Sequence, residues 1–241
     1  MITSIIIFML VTFTYSTNEL KLSGEKFSTN FIINPENNFL NTTSSLKKTD
    51  LNIPFISQAP FGEWNDPMQQ EGCEEASSLM VYKWLNNDTF ISKNEARDII
   101  RKISIYEKQR YGYFWDTSAL DTANRILSGY FNYHDWKVEK VKSKEQIINL
   151  LMLNKALMVP LNGKKLNNPY FTMGGPERHM VVVKGYDPET REFITNDPGT
   201  RRGGNYRYNE DLFYNAIRDY PSGDNAPILN KNKLMIVISK V

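Results

Sequence analysis

One cysteine, Cys73, and two histidines, His134 and His179, are the chain's whole supply of thiol and imidazole. A single thiol excludes an intramolecular disulfide and leaves no thiolate cluster to hold a metal. With two imidazoles and no carboxylates at ligand spacing beside them, no metal site and no cofactor is expected. Excess charge is scarce too, 29 Lys and Arg against 27 Asp and Glu. No basic stripe stands out, so nucleic acid is not an expected partner. Long apolar runs are lacking; a membrane span needs about 20 such residues. There is no nucleotide-binding motif, no set of spanning helices and no internal repeat.

What is present begins at the N-terminus. Residues 5–11 are unbroken apolar sequence, the length of a signal-peptide core but without a preceding Lys or Arg. Residues 1–17 are therefore read as a signal peptide or membrane anchor, and the chain as extracytoplasmic, secreted or membrane-attached. Residues 18–50, rich in Asn, Ser, Thr and Lys, read as a polar linker. Residues 51–241 form the expected domain. Its 41% hydrophobic content across the chain is enough for an ordinary core.

Within that domain, Asn52-Ile53-Pro54-Phe55-Ile56-Ser57 reads as a short edge strand, and residues 58–72 as a loop. A helix is expected from Cys73, with Ala76, Leu79, Met80 and Trp84 on one face and Glu74 and Glu75 in the first turn. A second opens at Ser92, with Glu95 completing a capping box. A third covers residues 117–127, presenting Leu120, Ala123 and Leu127. Residues 136–141 alternate as a strand, and Ser143 caps a further helix. Strands follow at 156–161, 179–186, 192–196 and 234–239, with a helix at 209–218. Helices first and strands later indicate an α+β domain.

Cys73 at the first turn of a helix is a position where unpaired N–H groups favour a thiolate. A nucleophilic thiol needs a base, and His179, at the junction of the polar loop 173–178 with an apolar strand, is the candidate. His134 is the rival. If the strands at 180–185 and 192–196 form a hairpin around 187–190, Asp197 returns to the end of the sheet that carries His179. A carboxylate there would fix the imidazole tautomer. Two segments, 163–178 and the aromatic run Tyr111-Gly112-Tyr113-Phe114-Trp115, are candidate groove walls.

Four segments together, Ile53-Pro54-Phe55-Ile56-Ser57-Gln58, Gln69-Gln70-Glu71-Gly72-Cys73-Glu74-Glu75-Ala76-Ser77, His179 to Asp187, and Asn196-Asp197-Pro198-Gly199, resemble the papain-like peptidases related to bacteriocin-leader-processing enzymes, family thirty-nine of the cysteine peptidases. The likeness runs over about residues 51–240. It implies a papain-like fold, helices packed on a C-terminal antiparallel sheet, with Cys73 as nucleophile, His179 as base and Asp197 as orienter. It also implies a Gln side chain in the oxyanion hole. Gln58 is favoured, with Gln70 next and Gln69 nearby. Glu74 departs from the Gly that many members carry after the Cys, and an acid there would raise the thiol pKa. The expected activity is hydrolysis of peptide bonds in a peptide or protein substrate through an acyl-enzyme. An amidase or acyltransferase on the same triad, or an inactive surface-anchored binding module, remains open. Oligomeric state is not readable.

Overall fold

Strands β3 (Ala156–Leu161) and β4 (His179–Asp187) are buried at every position because helices cover both faces of their sheet. Side-chain alternation divides them between two cores. Met158, Met180 and Val182, with Ile236 and Ile238, pack against Ala76, Leu79 and Met80 on one face. Leu157, Val159, Val181 and Val183, with Met235 and Val237, pack against Ile147, Leu151 and Phe213 on the other.

The computed structural model describes residues 47–223, 227–229 and 231–240. The expected signal or anchor segment and nearly all of the expected linker lie outside them. Among the described residues the sheet has seven strands, all paired antiparallel. Besides β3 and β4 these are β1 (Thr49–Asp50), β2 (Trp136–Lys140), β5 (Glu192–Asn196), β6 (Tyr206–Asn209) and β7 (Leu234–Ile238). The order is β2-β7-β3-β4-β5-β6, with β1 added to the far end of β4 at Gly185 and Tyr186. A Cβ on Gly185 would lie 2.2 Å from the Thr49 carbonyl oxygen, so β1 can approach only a glycine there.

Helix α2 (Cys73–Leu85) starts at the expected residue and lies across β4. Ser92 caps α3 (Lys93–Tyr111) through the Glu95 N–H at 3.1 Å. Ser143 caps α5 (Lys144–Met152) in the same way, and α6 (Glu210–Ala216) closes the second face. The helical secondary structure and antiparallel sheet make this the α+β fold expected.

Four local expectations change. The segment 52–57 is not a strand: β1 occupies the adjoining edge of β4, and the Ile53 and Pro54 carbonyls accept instead from the Asn196 side chain. The loop 58–72 contains a short helix, α1 (Pro67–Gln70), capped by Asp66. The third helix is split into α4 (Ala119–Thr122) and a π-helical stretch, Ala123–Tyr130, which rotates the face so that Leu120 is 52% exposed. Two strands were not anticipated, β6 and, within the expected linker, β1.

Candidate active site

Gly72 precedes Cys73 because of space. Its φ of −90° is ordinary, but a Cβ there would lie 2.7 Å from the Met68 carbonyl oxygen. Gly72 also leaves α2 without a side-chain cap, so the first-turn N–H groups face the site unclaimed by a cap. Cys73 sits against the start of β4, where a hydrogen bond with the Met180 backbone favours its thiolate.

His179 begins β4 and Asp197 directly follows β5. The hairpin brings them together: His179 Nε2 and Asp197 Oδ1 are 2.7 Å apart, both fully buried. Asp197 Oδ1 also accepts the Gly199 N–H at 3.0 Å, and Oδ2 accepts the Tyr208 hydroxyl at 2.5 Å. Tyr208 in turn accepts from Asn168 Nδ2 at 2.7 Å. Burial pushes the Asp197 carboxyl up, but the His179 charge and these hydrogen bonds outweigh it and hold it below the usual value. Phe171 stands edge-on to the imidazole, ring centres 5.4 Å apart.

Cys73, His179, Gln58 and Gln70 line one cleft of about 1100 Å³. Asp197 is buried behind it. The loop 163–178 forms a wall, as expected, with Tyr170, Phe171 and Met173. The aromatic run 111–115 does not: Phe114 is buried, and Tyr113 accepts from Arg125. His134 is outside the cleft, its Nε2 on Asn132. A smaller cavity of about 130 Å³ beside Phe55 and Ile56 contains neither Cys73 nor His179, so the chemistry belongs with the larger one.

Gln58 lies at the cleft with its Nε2 donating to the carbonyls of Gln69 (2.9 Å) and Gln70 (2.7 Å). It thus holds the turn ahead of Cys73, and its Oε1 is buried without a partner among the described residues. Gln69 is turned away onto Asp66.

The thiol is shifted away from the thiolate expected at a helix start and in the direction expected of Glu74. Cys73 Sγ donates to Glu74 Oε2 at 2.9 Å, and no hydrogen bond joins it to His179 among the described residues. Burial pushes the thiol pKa well up, and the Glu74 charge and hydrogen bond push it further. The helix N-terminus is outweighed. Burial also drives Glu74 up, to about 7, against the hydrogen bonds from Cys73 and Tyr220. Sequence reasoning flagged Glu74 but missed Tyr208, Asn168 and Tyr220. The alternation Tyr206-Arg207-Tyr208 was the one available signal for Tyr208.

A thiol, an imidazole and a buried carboxylate around one cleft can perform nucleophilic acyl transfer once the thiol proton reaches the imidazole. Residues 50–222 match the family described as "Peptidase_C39 like family". The fold is similar to the crystal structure of a protein from Bacillus anthracis described as a C39-like peptidase, with a TM-score of 0.52 and 15% identity, covering 81% of this chain and 98% of that one. No curated protein matches the chain.

Proposed function

The chain belongs to the C39-like peptidase family, and on that premise we propose that it is a cysteine peptidase in which Cys73 attacks the peptide carbonyl. The 2.7 Å contact between His179 and Asp197, at the cleft that Cys73 lines, carries the proposal. With Nε2 committed to Asp197, Nδ1 is the nitrogen left for the thiol proton. The thiolate adds to the carbonyl carbon, His179 returns the proton to the leaving nitrogen, and water then cleaves the thioester with His179 as base. The Cys73 N–H and the Gln58 amide, released from Gln70, are the proposed oxyanion donors. The apolar run at 5–11 supports an extracytoplasmic setting and a peptide or protein substrate met there.

The test is cleavage of a mixed peptide library by the purified chain, with products identified by mass spectrometry. Wild type should cut, and Cys73→Ala and His179→Ala should not. Cleavage that survives Cys73→Ala, or an inert wild type, overturns the proposal.

A further inference from the structure

Glu74 is held in a way that a purely structural carboxylate does not require. Its Oε1 accepts both the Tyr220 hydroxyl at 2.8 Å and the Thr117 N–H at 3.2 Å. Those two bonds tie the segments 112–118 and 219–222 to helix α2. Oε2 takes no part in the tie and accepts from the Cys73 thiol. The carboxyl is 2% exposed, and no cation pairs with it among the described residues. The charge that acts on it most is that of Asp116, in the loop after α3 and itself paired with Arg178, and the acids Glu75 on its own helix and Glu107 on α3 lie beside it. Tyr220, from beyond α6, is the remaining titratable neighbour besides Cys73. A buried carboxylate among acids is costly to keep ionised and takes up a proton readily.

Resting on the peptidase reading above, we infer that Glu74 is a catalytic residue that holds the Cys73 proton in the resting enzyme and releases the sulfur to His179 when it is itself protonated. As the carboxylate, Glu74 accepts the S–H bond and its charge opposes a thiolate beside it. Taking one proton from solvent, it becomes a donor: its O–H points to Sγ, and the original thiol proton moves to His179 Nδ1. The sulfur is then a thiolate, the imidazole an imidazolium, and the site has gained one proton in all. The carboxyl's shift toward neutrality agrees with this exchange falling within the physiological range. The enzyme is therefore more reactive on the acid side of neutrality than above it, the reverse of an unperturbed thiol.

Alkylation of the full chain by iodoacetamide between pH 5 and 9 reads this directly, because Cys73 is the sole thiol. Wild type should alkylate faster near pH 6 than at pH 8. Glu74→Gln, which keeps the shape and removes the charge, should alkylate at least fivefold faster than wild type at pH 8 and lose the acid-side advantage. Tyr220→Phe leaves the acid in place but removes a bond that favours its anion. Its reactive plateau should extend to higher pH, and this second variant keeps the inference open to refutation if Glu74→Gln does not fold. A Glu74→Gln profile that superimposes on wild type, or a Tyr220→Phe transition that does not move, overturns the inference. If His179→Ala slows alkylation while Glu74→Gln leaves it unchanged, the Glu74 role falls and the peptidase reading stands. If neither variant alters it, both fall.

Discussion

Ser77, one turn beyond Cys73 on helix α2, donates its hydroxyl to the carbonyl of Met180 at 3.3 Å. Met180 is the residue after His179 and lies beyond Val182, where the pairing of β4 with β5 ends, so no β5 residue stands opposite it. The serine offers a donor at a point where β5 does not, and in doing so fixes the helix that carries the thiol against the strand that carries the imidazole.

Ser77→Ala should therefore act twice. Loss of the buried hydrogen bond should cost about 1 kcal/mol in denaturant unfolding, up to roughly 3 if the carbonyl is left unsatisfied. Loss of the tie should lower kcat with little change in KM. A variant with wild-type kcat would separate helix docking from catalysis.

Gly199 lies over the imidazole, and a Cβ there would come 2.8 Å from His179 Cε1 and 3.1 Å from an atom of the Phe171 ring. Gly199→Ala should displace the ring from Asp197 and cut kcat/KM about tenfold or more, while circular dichroism stays native. Wild-type activity would mean the loop yields at no cost.

Tyr208→Phe removes the hydroxyl bond to Asp197 Oδ2 and strands Asn168 Nδ2 without its acceptor. The folded-state pKa of Asp197 is depressed, so its stabilisation is present above the unfolded value near 3.9 and fades as pH falls through the folded value. The substitution raises that folded value. Acid unfolding followed by fluorescence should begin at higher pH in the variant than in wild type, and coincident curves would refute the link.

Glu107 runs the other way. It is fully buried, and neither carboxyl oxygen has a hydrogen-bond partner among the described residues. Burial, and then the Glu74 charge, push it up to about 9 although Arg125 pulls it down. The folded chain keeps a proton that the unfolded chain releases above about 4.3, so stability should fall as pH rises toward 9. Glu107→Gln should flatten that fall, seen as a smaller loss of Tm between pH 6 and pH 9. An equal loss in both proteins would count against the assignment.

The strands of the second half were readable because β3, β4, β5 and β7 are short apolar runs with polar or turn-forming bounds, and the hairpin alone placed Asp197 beside His179. Cys73 at the start of α2 was readable from the acids and apolar spacing that follow it. Ile53-Pro54-Phe55-Ile56 misled because its strand-like composition meets no free ladder position, β1 having taken the edge of β4. The sign of the thiol's shift was legible in Glu74 beside Cys73, but the geometry behind it was not. That geometry depends on Glu74 being sealed by Tyr220, 146 positions away, and by Thr117, 43 away. The Tyr208 contact with Asp197 required knowing that Tyr206–Asn209 pairs with β5, a strand too short and too polar to announce itself.

The position of β7 reaches into how the protein comes to be made. It lies between β2 and β3 in the sheet, yet follows every other described strand in the chain. Until the ribosome has released residues 234–238, β2 and β3 border an empty slot, with β3's apolar faces only partly covered. The sheet that supports His179 then has its edge strand exposed and available for wrong pairing. The candidate site would stay incomplete in the nascent chain until β7 takes its place, so the same topology that builds the site also delays it.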